Sequence, residues 1–174
     1  MTDWKDIRAI TFDVDGVMTD GGLIATDDGS FLRLFNAKDS FAIRMAVMNG
    51  YKVGVFTGGD TPGIRSRMIS AGVPEDEIHM HCRGKLKTWA AFCAKHGLKP
   101  EEVLYMGDDI PDLPVVKAAG IGAVPQDAAE ELRAAAAYIC VKGGGKGCLR
   151  EVVEKAMKAA GKWKFDSDIY EKIF

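Results

Sequence analysis

The 174-residue sequence carries a net charge of only −2, four scattered cysteines and no long apolar run, and each of these features argues against a class of protein. The small net charge gives no whole-chain attraction to nucleic acid or to an anionic membrane surface. The apolar runs have the length of strands, so no segment is expected to cross a bilayer. The cysteines form no C-x-x-C pair, which indicates reduced thiols. The polar, acidic start does not resemble a signal peptide, so we expect a cytoplasmic protein. From the net charge and the short apolar runs we expect no nucleic-acid or membrane partner.

Apolar segments of strand length alternate with segments of helical pattern along most of the chain. Strands are predicted over 7–12, 51–56, 78–82, 103–106, 121–124 and 138–141, and helices over 39–49, 61–71, 85–96, 111–119, 128–136 and 148–160. This alternation is typical of an α/β fold with a doubly wound, Rossmann-like parallel sheet. We expect one domain over residues 1–160, followed by a C-terminal tail over 161–174.

A second pattern predicts a small β-hairpin inserted at about residues 21–36. The turn sequence D-D-G-S at 27–30 separates apolar runs at 23–26 and 31–35, and Asp-Gly between such runs is a hairpin signal. Both faces of the hairpin carry apolar side chains, so we expect it to contact another subunit. The insertion is too short to hold a lid domain of usual size.

The first predicted strand runs directly into Asp13, Asp15 and Gly16. Alternation along an extended backbone places the two carboxylates on the same side, where they repel each other and are costly to desolvate. A divalent cation with oxygen ligands is the natural neutralising group. An ordinary acidic turn has the same short pattern, so this motif alone leaves both interpretations open.

Two other predicted strands also end in polar residues, because Thr57 follows one and Asp108 follows the other. In a parallel sheet the carboxyl ends of the strands share one edge, and ligands bind there. Together Asp13, Asp15 and Asp108 would form an oxygen-rich site that favours Mg²⁺ when a phosphate is also bound. An acidic helix start stabilised by the helix dipole is the alternative interpretation of the Asp108 cluster. Two aspartates are expected to support the metal ligands: Asp109 and Asp112.

The same edge of the sheet offers groups that suit a phosphoryl group. The Thr57 hydroxyl and the Gly58 N–H can donate to phosphate oxygens, and Lys85 adds a positive charge, with Lys87 as the alternative cation. An aspartate beside a metal and a lysine is a plausible nucleophile, because the two cations cancel its repulsion from the phosphate. A second aspartate can protonate the leaving oxygen and then activate water.

Four motifs occur in a fixed order along the chain: D-V-D-G at 13–16, Thr57-Gly58, Lys85, and G-D-D-I-P-D at 107–112. Together they resemble the haloacid dehalogenase-like (HAD) phosphatase superfamily, and the resemblance spans most of the chain. Any one of these motifs is weak alone, and their order on an alternating α/β pattern makes the resemblance specific.

The resemblance implies a role for each of the matching residues. Asp13 would be the nucleophile that forms an aspartyl-phosphate, and Asp15 the general acid and base, with its backbone carbonyl on the metal. Asp108 would complete the protein ligands of Mg²⁺. Thr57 and Lys85 would hold the phosphoryl group.

Further segments are similar to one family within this superfamily, the phosphatases of 3-deoxy-D-manno-octulosonate 8-phosphate, an intermediate of lipopolysaccharide biosynthesis. These segments are F-N-A-K-D-S-F-A-I-R at 35–44, Arg67, G-G-G-K-G-C-L-R-E-V at 143–152 and A-A-G-K-W at 159–163. The resemblance implies a homotetramer with its hairpins at the centre and a tail that reaches a neighbouring active site. Its implied substrate contacts are Asn36, Lys38, Asp39, Arg44, Gly58 and Arg67.

Two residues depart from the pattern of that family. Ser40 stands where glycine is usual, and Gly59 stands where many members carry arginine, which removes part of the expected substrate clamp. Two other functions remain open at this point. A nine-carbon ulosonate 9-phosphate is the alternative substrate, and a non-catalytic oligomerisation domain is the alternative of another class.

Overall fold

The computed structural model describes residues 2–173. Met1, the first residue of the predicted domain, and Phe174, the last of the predicted tail, lie outside the described residues. Within this range, six parallel strands form one sheet in the order β5-β4-β1-β6-β7-β8, and two antiparallel strands form a separate hairpin. The strands are β1 (Ala9–Phe12), β2 (Ile24–Ala25), β3 (Phe31–Leu32), β4 (Lys52–Phe56), β5 (Ile78–His79), β6 (Val103–Met106), β7 (Ile121–Val124) and β8 (Tyr138–Ile139).

Seven helices connect and flank these strands in the described part of the chain. They are α1 (Ala37–Met48), α2 (Pro62–Ser70), α3 (Lys85–Lys95), α4 (Leu113–Ala118), α5 (Glu130–Ala135), α6 (Cys148–Ala159) and α7 (Ser167–Ile173). The predicted doubly wound α/β fold and its inserted hairpin are therefore confirmed. No helix within residues 2–173 is long and apolar enough to cross a membrane.

The sheet separates two apolar cores. The core that includes Phe12 and Ile43 lies between the sheet and helices α1, α2 and α6. The core that includes Trp89 and Leu132 lies toward helices α3, α4 and α5. Because helices cover both faces, a central parallel strand such as β1 is buried at all four positions, three of which are apolar.

The structure differs from the predicted bounds where the backbone departs from regular geometry. Strand β5 ends at His79, three residues early, because the chain turns at His81, whose φ of 51° lies in the left-handed region. The predicted helix 111–119 starts as a 3-10 turn, Ile110–Asp112, and becomes α-helical only from Leu113.

The C-terminal tail contains a helix, α7, that the apolar pattern did not predict. Its first turn is capped by Asp166, whose Oδ1 accepts hydrogen bonds from the N–H groups of Asp168 and Ile169 at 3.0 Å. The tail packs on helix α1 of its own chain, where the Phe41 ring lies 5.9 Å from Phe165 and 6.2 Å from Tyr170. The implied contact of the tail with a neighbouring subunit stays a prediction.

Candidate active site

Three neighbouring strands bring their polar ends to one edge of the sheet. Strand β1 lies between β4 and β6, and Phe12 is paired with Val55 on one side and Met106 on the other. The residues that follow these strands therefore surround one cavity, of about 400 Å³. The predicted site residues that line the cavity are Asp13, Asp15, Thr57, Gly58, Lys85, Asp108, Asp109 and Asp112.

Asp13 lies at the bottom of this cavity and is only 8% exposed. Its Oδ1 accepts a hydrogen bond from the Val14 N–H at 2.6 Å, and its Oδ2 accepts one from Lys85 Nζ at 2.6 Å. Burial raises the pKa of Asp13 to about 7, and the charge of Asp112 adds to this effect, while Lys85 opposes it. The carboxylate is thus held in one orientation and lies in an environment that disfavours an uncompensated charge.

Lys85 is the first residue of helix α3 and is buried between two carboxylates. Its Nζ lies 2.6 Å from Asp13 Oδ2 and 2.6 Å from Asp112 Oδ1. Burial lowers the pKa of Lys85, but the two aspartates outweigh burial and leave this pKa above its ordinary value. The ammonium group is therefore a fixed positive charge, and the alternative cation, Lys87, lines a neighbouring groove instead.

Asp112 is almost fully buried and makes hydrogen bonds with both of its oxygens. In addition to Lys85, Oδ1 accepts a hydrogen bond from the Tyr105 hydroxyl, and Oδ2 accepts one from the Asp108 N–H at 3.1 Å. Burial raises the pKa of Tyr105 well above its ordinary value, and the negative charge of Asp112 is the second cause. The phenol therefore keeps its proton and remains a donor. No motif pointed to Tyr105, which does not line the cavity and contacts Asp112, a residue that does.

An acidic cluster in this cavity suits a divalent cation. Asp13, Asp108 and Asp112 each offer an oxygen, and these atoms lie within 4.8 Å of one another. Burial, followed by the negative charges of Asp13, Asp112 and Asp109, raises the pKa of Asp108 to about 7. Lys85 pairs with only two of these three carboxylates, so the cluster carries more negative than positive charge. A hard cation that binds oxygen would balance the excess negative charge, so the donor set fits Mg²⁺.

Gly16 allows the close approach on which this cluster depends. Its φ is +79°, and a Cβ atom there would lie 1.9 Å from Asp108 Oδ2. Only glycine adopts this conformation readily and leaves space for the carboxylate. The glycine at the last position of the D-x-D-G pattern is therefore required for Asp108 to approach the strand end.

The Asp15 side chain lies apart from the acidic cluster, because it is paired with Arg33 at the end of the hairpin. Arg33 Nε lies 2.7 Å from Asp15 Oδ1, and Nη2 lies 3.0 Å from Oδ2. A third donor, Nη1, reaches the Thr61 hydroxyl at 2.9 Å. Nothing in the sequence pattern singled out Arg33, because its place on a hairpin strand is typical of an exposed arginine.

The loop after strand β4 provides hydrogen-bond donors beside these carboxylates. Thr57 is buried, and its hydroxyl accepts a hydrogen bond from the Gly59 N–H at 3.1 Å. The hydroxyl proton stays available to a ligand, because a hydroxyl both accepts and donates. Gly58 is exposed at the rim, where an added Cβ would meet no atom within 4 Å.

The other predicted substrate residues lie outside this cavity. Asn36 caps helix α1 by accepting from the Lys38 N–H at 2.9 Å, and Lys38 is exposed. Asp39 is fully buried and accepts from the Arg150 N–H at 2.8 Å, so it caps helix α6. Arg44 donates to the Ser70 carbonyl at 2.7 Å and to the Tyr170 hydroxyl.

Arg67 lines a second cavity, of about 430 Å³, between the hairpin and helix α2. Its Nη2 donates to the Ser40 hydroxyl at 2.7 Å. The serine that departs from the family pattern therefore has a defined partner. Arg33 also lines this second cavity. It does not line the cavity that holds the acidic cluster, although its guanidinium binds Asp15.

The central strand of the sheet ends in paired aspartates, and a threonine, a lysine and a third aspartate lie at the same edge. The fold defines the class of protein, because solved HAD superfamily hydrolases share it, among them a putative one from Legionella pneumophila with a TM-score of 0.88 and 25% identity, over 97% of this chain and 90% of that chain. A comparison with protein-family models finds no match. The chain is 32% identical over 164 residues to the 3-deoxy-D-manno-octulosonate 8-phosphate phosphatase KdsC of Salmonella typhi, across 93% of this chain and 85% of that protein. The chain therefore belongs to the family of 3-deoxy-D-manno-octulosonate 8-phosphate phosphatases.

Solved structures of this family have the same fold. The phosphatase from Moraxella catarrhalis, in complex with magnesium ion, phosphate ion and KDO, has a TM-score of 0.88 and 30% identity, over 92% of this chain and 91% of that chain. The cobalt-bound phosphatase from Haemophilus influenzae has a TM-score of 0.88 and 29% identity, over 97% of this chain and 98% of that chain.

Proposed function

We propose that this chain is a Mg²⁺-dependent phosphatase that hydrolyses 3-deoxy-D-manno-octulosonate 8-phosphate to the free sugar acid and phosphate. The observation that carries the proposal is the position of Asp13, which is held by Lys85 at the end of the central strand, beside Asp108. The relatives favour the eight-carbon substrate over a nine-carbon ulosonate 9-phosphate. A non-catalytic domain would have no need of a buried lysine between two aspartates.

The chemistry follows from the residues around the cavity. An oxygen of Asp13 attacks phosphorus, and the bond between phosphorus and the sugar oxygen breaks as Asp15 gives that oxygen a proton. A water molecule then attacks the aspartyl-phosphate, Asp15 takes a proton from the water, and Asp13 is released. Lys85 stabilises the negative charge at Asp13, and Thr57 with the loop N–H groups holds the phosphate oxygens.

Asp13, Asp108 and the backbone carbonyl of Asp15 would hold Mg²⁺, with Asp109 and Asp112 in support. When bound, the cation supplies positive charge that lets an anionic nucleophile approach an anionic phosphate. The resemblance assigns substrate recognition to Asn36, Lys38, Asp39, Arg44, Gly58 and Arg67. Of these, Gly58 lines the cavity, and the others lie outside it in this single chain.

We also propose that the protein is a cytoplasmic homotetramer that acts in lipopolysaccharide biosynthesis, with one domain over 1–160 and a tail over 161–174. Support for the oligomer comes from the apolar side chains that the hairpin leaves exposed to solvent. Their exposed fractions are 48% for Leu23, 66% for Ile24, 46% for Phe31, 54% for Leu32 and 80% for Leu34. A molecular mass equal to that of one chain, measured by light scattering, would argue against this assembly.

The direct test is phosphate release with Mg²⁺ across a panel of phosphorylated sugars. The panel sets the octulosonate 8-phosphate against a nine-carbon ulosonate 9-phosphate and simple hexose phosphates, with Asp13→Asn as the blank. We expect a preference of about a hundredfold or more in kcat/KM for the octulosonate, which corresponds to ~2.7 kcal/mol of transition-state discrimination. Equal, slow rates on all substrates would contradict the proposed substrate, and no release above the blank would contradict the phosphatase.

A further inference from the structure

The hairpin is joined to Asp15, a residue of the active-site cavity, by the side chain of Arg33. This arginine follows strand β3, among residues whose apolar side chains point to solvent, yet its own side chain is only 7% exposed. All three nitrogens of the guanidinium donate hydrogen bonds, two to Asp15 and one to Thr61. An arginine on a two-stranded hairpin is usually exposed, so the burial of Arg33 indicates a specific partner.

The pair with Asp15 has the geometry of a fork. Nε donates to Oδ1 at 2.7 Å and Nη2 donates to Oδ2 at 3.0 Å, so both carboxylate oxygens are bound by one planar group. Two parallel hydrogen bonds fix the plane of the carboxylate as well as its position. A lysine at position 33 would provide the charge but not this plane.

Little else holds the Asp15 carboxylate in place. Its side chain is 32% exposed, and its other side-chain hydrogen bond among residues 2–173 comes from the Thr19 hydroxyl, 3.5 Å from Oδ1. At that distance a hydrogen bond is weak. The rotamer of Asp15 therefore depends on Arg33.

Gly59 lies beside the guanidinium of Arg33. A Cβ atom at position 59 would lie 3.4 Å from Arg33 Nη2 and 2.5 Å from Ile64 Cδ1. A larger side chain would therefore compete with Arg33 for the space beside Asp15. Glycine at position 59 therefore avoids a clash with Ile64 and leaves the space next to the guanidinium open.

We infer that Arg33 is a positioning residue for the reaction, which orients the Asp15 carboxylate for proton transfer and is brought there by the hairpin. The inference rests on the proposed function, in which Asp15 is the general acid and base. Proton transfer is sensitive to orientation, and a misplacement of about 1 Å can cost a factor of roughly 100 in rate. Each bound oxygen of the carboxyl group keeps a second lone pair, which can carry the proton that Asp15 gives to the leaving oxygen and later takes from water.

The test compares Arg33→Ala and Arg33→Lys with wild type in kcat and KM for the octulosonate 8-phosphate. We expect Arg33→Ala to lower kcat by about 10- to 100-fold with KM changed by less than about threefold. Arg33→Lys should recover only a small part of the loss, because it lacks the fork. The matched control is Arg8→Ala, which removes an exposed arginine that pairs with Glu102 at 3.0 Å at the opposite end of strand β1.

A double-mutant cycle with Asp15→Asn separates positioning from a general effect on the fold. If Arg33 acts through Asp15, adding Arg33→Ala to Asp15→Asn should change the residual rate by less than about twofold. A rise in KM alone, a wild-type kcat in Arg33→Ala or Arg33→Lys, or an equal further loss in the Asp15→Asn background would each overturn the inference. Wild-type phosphate release no faster than the Asp13→Asn blank would overturn the proposed function, and this inference with it.

Discussion

Lys85 and Asp112 form an ion pair of 2.6 Å in which the side chains are only 4% and 1% exposed. The same ammonium group contacts Asp13, so the proposed nucleophile is bound to helix α3 and to the loop before α4 through one cation. Removing one partner of a buried ion pair leaves an uncompensated charge, which is far more costly than removing an exposed pair.

The first prediction concerns this lysine. Lys85→Met should abolish measurable turnover and lower the free energy of unfolding by about 3 kcal/mol at pH 7.5, because two buried carboxylates lose their cation. Urea denaturation with an assay of phosphate release measures both effects. The destabilisation should shrink at pH 5, because the pKa of Asp13 is about 7 and its carboxylate is then protonated.

Lys95→Met is the control for that variant. Lys95 also contacts two carboxylates, Asp76 at 2.7 Å and Glu77 at 2.6 Å, but its side chain is 49% exposed. The buried Glu77 keeps a second partner, because His96 Nε2 lies 2.7 Å from its Oε1. We expect a loss of less than about 1 kcal/mol with no change in turnover. Equal losses in the two lysine variants would show that the burial of Lys85 has no special energetic role.

The second prediction concerns the hydroxyl of Tyr105, which donates to Asp112 in the buried interior. Tyr105→Phe should cost about 1.5–3 kcal/mol of stability, the usual range for a hydrogen bond to a charged group. The matched control is Tyr51→Phe, since the buried Tyr51 hydroxyl has no hydrogen-bond partner within residues 2–173. Thermal unfolding should therefore show a loss for Tyr105→Phe and none for Tyr51→Phe, and the reverse order would refute this account of the network.

The third prediction concerns metal and pH. Burial and neighbouring carboxylates raise the pKa of Asp13 and of Asp108 to about 7, so the metal-free folded protein holds protons that the unfolded chain loses near pH 4. Stability without metal should therefore fall as pH rises from about 4 through 7. Mg²⁺ should raise the unfolding temperature more at pH 8 than at pH 5.5, because it binds the deprotonated carboxylates.

Differential scanning fluorimetry with Mg²⁺ or with EDTA measures this effect at both pH values. Asp108→Asn is the informative variant, because it removes one proposed ligand and should abolish most of the shift that Mg²⁺ produces. A shift that is the same at pH 5.5 and pH 8, or that persists in Asp108→Asn, would place the cation elsewhere.

The fourth prediction concerns Asp39, which caps helix α6 from helix α1. Burial raises the pKa of Asp39 from 3.8 to about 6, so its charged form is unfavourable in the folded state. The stability that Asp39 contributes is thus greatest below pH 4 and is lost as pH rises through 6, by ~3 kcal/mol in all. Asp39→Asn keeps an oxygen that can accept from the Arg150 N–H and should remove this pH dependence.

The measurement is urea denaturation of wild type and Asp39→Asn at intervals from pH 4 to pH 7. The difference between the two proteins should change with pH, whereas the difference for Asp3→Asn, an exposed cap, should change far less. Parallel curves for wild type and Asp39→Asn would mean that the burial of this carboxylate does not control the stability of α6.

The alternation of strands and helices predicted the fold and, with it, the edge of the sheet at which Asp13, Thr57 and Asp108 lie. This was possible because the neighbours of a parallel strand fix where its carboxyl end points. The helix α7 was missed because its cap and its aromatic contacts with α1 stabilise a short segment that lacks a long amphipathic pattern.

The sequence by itself determined which residues could react, since Asp13, Asp15 and Lys85 stand at local positions that motif and periodicity define. Only the tertiary structure decided the partners of these groups: Arg33 pairs with Asp15, and Asp112, held by Tyr105, pairs with Lys85. It also placed Asp39 at the N-terminus of α6. Many of these partners are far apart along the chain, and a local pattern carries no information on which distant element will face a given carboxylate. The pairing follows from how the helices and the hairpin pack on the sheet, because a buried charge is stable only where packing brings it a partner.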